Sequence, residues 1–290
     1  MLKLYKYQGA GNDFLIADNR DGHITENDGV LTVVLSDGTI WSRPISEICD
    51  RRYGVGADGL MLLESSDIHD FRMNYFNSDG SGGMMCGNGG RCIVAFASDM
   101  GIGHYDFDAA DGFHTAMVQK DEGTVKTVRL KMKDVTEYAF HEFLSGVEVP
   151  SEGWFLDTGT RHFVRFVSGI EDYDIVAEGR QIRYEAEELR PAGANVNYVE
   201  PCEGGIRVRT YEKGVEDETY ACGTGIVASV IAAFMKGLSI KDECGRVSSA
   251  VMAKKDMLSV DFVPADGGKF TDVWLTGPAV KVAEILLSDV

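Results

Sequence analysis

Two stretches of strict two-residue alternation stand out along the chain. Residues 71–76, Phe-Arg-Met-Asn-Tyr-Phe, and 206–211, Ile-Arg-Val-Arg-Thr-Tyr, put apolar groups on one face and polar groups on the other. That pattern predicts half-buried strands. Beyond each strand a helical period takes over. Ile93, Val94, Phe96, Ala97 and Met100 recur at helical spacing in the first case, and Ile226, Val227, Val230, Ile231 and Phe234 in the second. Gly101 and Gly237 are the expected stops. Between strand and helix lie Met85-Cys86-Gly87-Asn88-Gly89 and Ala221-Cys222-Gly223-Thr224-Gly225, which share a Cys-Gly-x-Gly core. Further upstream, Gly11-Asn12-Asp13-Phe14 and Gly159-Thr160-Arg161-His162-Phe163 each border an apolar, strand-like run. One order of signals thus occurs twice, which predicts an internal duplication.

The rest of the pattern is punctuation. Asp37-Gly38, between residues 31–35 and 39–41, is a hairpin signal. Residues 264–270 read as a second hairpin turn. The polar, charged residues 118–126 are expected to cross from one half to the other. The halves are then 1–121 with 276–290, carrying Cys86, and 122–275, carrying Cys222.

Composition narrows the function classes. The chain has 290 residues, enough to bury a core without disulfides or metal. Its net charge of -18 argues against nucleic acid, whose binding rests on clustered Lys and Arg, and against anionic lipid surfaces. The first residues lack the apolar stretch of a signal peptide, and runs such as 226–235 are too short to span a bilayer, so a cytoplasmic location is expected. The six cysteines are too sparse for a disulfide scaffold and form no CxxC pair, so thiols are expected and no metal site.

Cys86 and Cys222 differ from the other four. A cysteine just before Gly-x-Gly and the first turn of a helix sits at the positive end of the helix dipole, which favours the thiolate. The glycines let unpaired backbone N–H groups approach an anion closely. A carboxylate held between two such turns presents its α-carbon between two sulfurs. One face then loses a proton to a thiolate while the other receives one from a thiol. Cys49, Cys92, Cys202 and Cys244 lack this setting and read as small buried hydrophobes.

At these residues the sequence resembles the diaminopimelate epimerase family. The matching stretches are Gly9-Ala10-Gly11-Asn12-Asp13-Phe14, Gly54-Val55-Gly56-Ala57-Asp58-Gly59, Asn77-Ser78-Asp79-Gly80-Ser81, Met85 to Cys92 and Tyr211 to Gly225. The resemblance implies an α/β fold in the α+β sense. Two pseudo-symmetric domains each curl a mixed sheet around a central helix, with the active site in the interdomain cleft. It implies interconversion of LL- and meso-2,6-diaminopimelate in lysine and peptidoglycan-precursor synthesis, with a small amino-acid substrate, no cofactor and a homodimer as the default assembly. Cys86 and Cys222 match the acid/base thiols, and His162 and Glu212 the groups that tune them. Gly87, Asn88, Gly223 and Thr224 match the holders of the reacting carboxylate. Asn12, Asn77, Asn195, Glu212 and Lys213 match the side chains that hold the amino groups and the far carboxylate.

The chain departs from the family pattern in places. Thr160, counted among the substrate-binding positions, stands with Arg161 where Asn-Pro is frequent. Lys213 replaces a common Arg and loses its two-pronged grip. Residues 212–222 are one longer than in many members, and 24–44 are enlarged. Three rivals stay open: a proline, hydroxyproline or histidine racemase of the same fold; a phenazine-biosynthesis-type isomerase, which lacks the cysteine pair; and a redox module in which Cys86 and Cys222 form a disulfide.

Overall fold

The structure is a computed structural model that describes residues 2–34 and 38–287. The chain folds as two compact units, Met1–Leu130 with Pro278–Val290 and Lys131–Gly277.

In the first unit the strands are β1 (Leu2–Gly9), β2 (Asn12–Asn19), β3 (Ile24–Asn27), β4 (Val30–Val34), β5 (Ile40–Pro44), β6 (Gly59–Glu64), β7 (Phe71–Asn77), β8 (Asp106–Ala109), β9 (Gly112–Asp121) and β10 (Val125–Lys131). Helix α1 (Ile45–Cys49) follows β5, and α2 (Gly87–Asp99) lies between β7 and β8. In the second unit come β11 (Glu137–His141), β12 (Gly153–Asp157), β13 (Arg161–Phe166), α3 (Ile175–Glu185), β14 (Asn195–Cys202), β15 (Gly205–Glu212), β16 (Asp217–Thr219), α4 (Gly223–Met235), β17 (Val247–Met252) and β18 (Met257–Ala265). The long β19 (Lys269–Leu287) begins in the second unit and ends in the first.

The sheet of the first unit runs β1-β2-β6-β7-β8-β9-β10 and closes on itself because the end of β19 neighbours both β10 and β1. Along it, β2–β6 and β7–β8 are parallel, while β1–β2, β6–β7, β8–β9 and β9–β10 are antiparallel. The second unit repeats this. There β13–β14 and β15–β17 are parallel, while β12–β13, β14–β15, β17–β18 and β18–β19 are antiparallel. The stretch leading into β11 bonds back to the start of β19, through Met132 to Val273 and Val135 to Phe270. Strand for strand the directions match, so the duplication expected from sequence is present in the topology.

The sheets wrap α2 and α4. Gly87 to Ala97 are buried without a break, as are most residues of α4 from Gly223 to Ala233. A helix buried all round sits inside a core and not on its face. Both helices also end alike. Gly101 and Gly237 lie at φ 82° and 81°, and their N–H groups bond Ser98 O and Phe234 O. The next N–H groups, of Ile102 and Leu238, reach Ala97 O and Ala233 O. This left-handed glycine cap satisfies carbonyls that the helix itself leaves open.

Residues 24–44 form a separate three-stranded sheet, β3-β4-β5, and not a lone hairpin. Val34 pairs with Ile40; the turn expected at Asp37-Gly38 falls partly on residues 35–37, which lie outside the described residues. The turn expected at 264–270 joins β18 to β19.

The expected crossover at 118–126 is corrected. These residues are the antiparallel hairpin β9–β10, turning at Gly123. Their charge misled because Lys126 is 3% exposed and paired with Asp99 and Asp121 at 2.8 and 2.9 Å. The units divide after Leu130 and after Gly277, where 121 and 275 were expected.

Candidate functional site

Each cysteine of interest sits at the N-cap of the central helix of its unit. Cys86 has an extended backbone (φ -115°, ψ 153°), and its Sγ accepts the Gly89 N–H at 3.2 Å. Sulfur thus takes the position that a capping oxygen usually fills. The fit at Gly89 is close, since a Cβ would lie 3.3 Å from that sulfur. Asn88 is buried, and its Oδ1 accepts from Arg91 Nη2 at 2.9 Å. Arg91 is wholly buried in α2, and also donates to Gly87 O and Pro278 O. This bond sets which way the Asn88 amide faces.

The first unit also carries two of the expected amides, Asn12 and Asn77. Asn12, opening β2, donates through Nδ2 to Asp58. Asp58 is paired with Arg51, which also holds Asp13 through two bonds. Burial works against ionising Asp13, but the bonds from Arg51 and Lys6 outweigh it and hold its pKa at about 2. The cluster is therefore charged, and it fixes Asn12 with its carbonyl oxygen turned away from Asp58. Asn77, closing β7, donates to Ser81 Oγ at 3.0 Å across a tight turn.

The second half-site begins at Cys222, again an extended N-cap (φ -105°, ψ 110°) and 8% exposed. Its Sγ lies 3.4 Å from Thr224 Oγ1. Thr224 Oγ1 lies 3.0 Å from both His162 Nε2 and Thr160 Oγ1, and the Thr158 hydroxyl donates to the Thr224 carbonyl. Behind the ring, Asn197 Nδ2 donates to His162 Nδ1 at 3.0 Å. The amide is oriented by Thr210, whose hydroxyl donates to Asn197 Oδ1 at 2.9 Å. His162 therefore carries its proton on Nε2, facing Thr160 and Thr224. Complete burial lowers its pKa to about 3, so the ring is neutral at any working pH. Gly225 is fixed by this packing: a Cβ there would stand 2.3 Å from Asn197 Oδ1.

The remaining expected residues lie close by. Asn195 is buried, donating to Arg161 O and accepting from the Lys213 N–H. The Glu212 carboxylate accepts from Thr219 Oγ1 at 2.7 Å, tying the end of β15 to the strand that leads to Cys222. Within 212–222 the chain forms a hairpin in which β16 pairs with β15, with Glu216 at φ 59°. Lys213 is exposed.

Each unit thus carries one glycine-flanked cysteine at the N-terminus of its buried helix. The family model for diaminopimelate epimerase matches residues 4–135 and 154–254. Diaminopimelate epimerase of Flavobacterium psychrophilum is 40% identical over 98% of this chain and 99% of its own. That of Chlorobaculum tepidum is 37% identical over 94% and 96%. The chain belongs to the diaminopimelate epimerase family. Among solved structures, a phenazine biosynthesis protein of the PhzF family from Bacillus anthracis superposes with a TM-score of 0.69 at 15% identity, covering 99% of each chain. At that identity the likeness shows the fold alone.

Of the four further cysteines, Cys49 and Cys92 are buried as expected, whereas Cys202 is half-buried and Cys244 exposed. Burial pushes the Cys49 thiol up to about 12 and raises that of Cys92, so both stay protonated. Sequence reasoning missed Asn197, Thr210 and Thr158. A signal was present in Asn195-Val196-Asn197, since residues two apart on a strand share a face. The Asp13-Arg51-Asp58 cluster was also missed, because charges distant in sequence look like solvated surface. No helix among the described residues is long and apolar enough to cross a membrane.

Proposed function

We propose that this epimerase interconverts LL- and meso-2,6-diaminopimelate with Cys86 and Cys222 as a two-base pair, serving lysine and peptidoglycan-precursor synthesis in the cytoplasm. The observation that carries the reading is the repeated build: each thiol caps the buried helix of its own unit. One thiolate takes the α-proton and becomes a thiol. The opposite thiol returns a proton to the other face of the α-carbon and becomes a thiolate. Proton count and charge balance, and the pair is left ready for the reverse direction. Charge that grows on the substrate carboxylate as the proton leaves is offset by the open N–H groups of the helix N-termini.

The two sulfurs are not equivalent in their surroundings. Cys86 Sγ accepts a backbone N–H, the bond a thiolate favours. Cys222 Sγ meets the Thr224 hydroxyl at 3.4 Å. The reading therefore starts with Cys86 as base and Cys222 as acid. His162, being neutral, acts on Cys222 only through Thr224, by aiming its hydroxyl. Gly87, Asn88, Gly223 and Thr224 hold the reacting carboxylate. Asn12, Asn77, Asn195, Thr160, Glu212 and Lys213 serve the ammonium groups and the far carboxylate.

The test is incubation with LL-diaminopimelate in heavy water, without added cofactor, followed by NMR. Exchange of the α-proton with a rising meso signal is expected. Exchange with proline or histidine but not diaminopimelate would keep the chemistry and change the substrate. Exchange with no amino acid would overturn the reading.

A further inference from the structure

Strand β7 carries another side chain on the face that holds Asn77. Residues two apart on a strand share a face, so Met73, Tyr75 and Asn77 line up. That face adjoins the Cys86 cap, since the position of a Cβ on Gly89 is 3.5 Å from the Met73 methyl and 3.3 Å from Cys86 Sγ. Across the sheet, Gly59 of β6 pairs with Phe14 of β2 on one side and with Asn77 on the other. Gly59 leaves a gap in this row, and the Tyr75 ring fills it. A Cβ on Gly59 would lie 2.5 Å from the ring and 2.9 Å from its hydroxyl. From the other side Gly83 closes in, where a Cβ would lie 2.2 Å from the ring. Phe14 meets the ring edge-on, with centroids 5.9 Å apart.

Two glycines and one aromatic edge thus clamp Tyr75 in a single orientation, between the Asn12–Asp58 contact and the Cys86 cap. No described residue hydrogen-bonds its hydroxyl, and that oxygen is not among the sealed, unpaired polar atoms. A ring so tightly held, with its polar tip outside the sealed interior, has the form of a binding group. Burial, followed by the charge of Cys86, pushes its pKa up, which keeps the hydroxyl protonated and able to donate.

We propose that Tyr75 is a substrate-binding residue of the Cys86 half-site, its hydroxyl donating to the far carboxylate of the diaminopimelate chain. The assignment rests on the epimerase reading above, in which the helix N-termini take the reacting carboxylate and leave the far one to this wall. Tyr75→Phe removes only the oxygen and keeps the clamped ring.

Affinity is best read by calorimetry on a Cys222→Ala background, where turnover is blocked. Adding Tyr75→Phe is expected to weaken LL-diaminopimelate binding about tenfold, the loss typical of one hydrogen bond to a charged group. Lysine, which lacks the far carboxylate, is expected to bind both variants equally. The pH profile of Cys86 alkylation is expected to stay unchanged. Equal diaminopimelate affinity, or a parallel loss for lysine, would overturn the assignment, as would a shifted alkylation profile, which assigns Tyr75 to the thiol. Wild-type exchange in heavy water separates the two levels. Exchange with unweakened Tyr75→Phe binding removes Tyr75 alone, whereas neither exchange nor binding removes the epimerase reading with it.

Discussion

Burial leaves the His162 imidazole neutral, which decides what it can do for Cys222. A histidine next to a reactive cysteine is usually read as a cation that stabilises thiolate, but a pKa of about 3 excludes that here. The ring accepts from Asn197, so its one hydrogen faces Thr160 and Thr224. The sign for stability follows. In the unfolded chain the ring binds a proton below its ordinary value of 6.5, and the folded chain does not until about 3. Its contribution to stability is full above 6.5 and is lost as pH falls toward 3. Nitrogen NMR is expected to show the Nε2–H tautomer of His162 with no titration between pH 5 and 9. A protonation step in that range would contradict the neutral role. Legibility at this scale was uneven. Cys86 and Cys222 announce themselves through flanking glycines that a buried structural thiol does not need. Asn197 and Thr210 do not, because a polar side chain facing inward keeps the same two-residue alternation as one facing out.

At the scale of elements, the β3-β4-β5 sheet packs against the turn that follows Asn77. Gly29, in the turn between β3 and β4, packs backbone to backbone on Gly80 of the Asn77–Ser81 turn. A Cβ on Gly29 would lie 3.3 Å from Gly80 O, and the residue sits at φ 77°, where only glycine is unstrained. Gly29→Ala is therefore expected to lower stability by about 1–2 kcal/mol. It is also expected to raise KM by displacing Asn77. Denaturant unfolding and steady-state kinetics check both; lost stability with an unchanged KM would show that the insert supports the fold only. Strands β7 and β15 and helices α2 and α4 were legible because a half-buried strand and a core helix each leave a clean period. The β9–β10 hairpin was not. Its charges read as a linker, yet Lys126 is buried against two carboxylates, a long-range pairing that no local pattern reveals.

For the molecule as a whole, the duplication is the fact that most constrains function. The two units repeat strand directions, a buried central helix, a glycine stop and a cysteine N-cap, while their inserts differ: a small sheet in the first and α3 in the second. What stayed the same is the part that places a thiol at a helix N-terminus. What diverged is the lining around it, with a backbone N–H on Cys86 and a hydroxyl on Cys222. In the proposed mechanism these are the surroundings of the starting thiolate and the starting thiol. The most direct test of this claim is to replace each cysteine singly, as Cys86→Ala and Cys222→Ala, and to measure epimerisation of LL-diaminopimelate beside circular dichroism. The account predicts that each change lowers kcat by about 10²–10⁴-fold or more with the fold retained. Near-normal turnover in either variant would contradict the two-base mechanism.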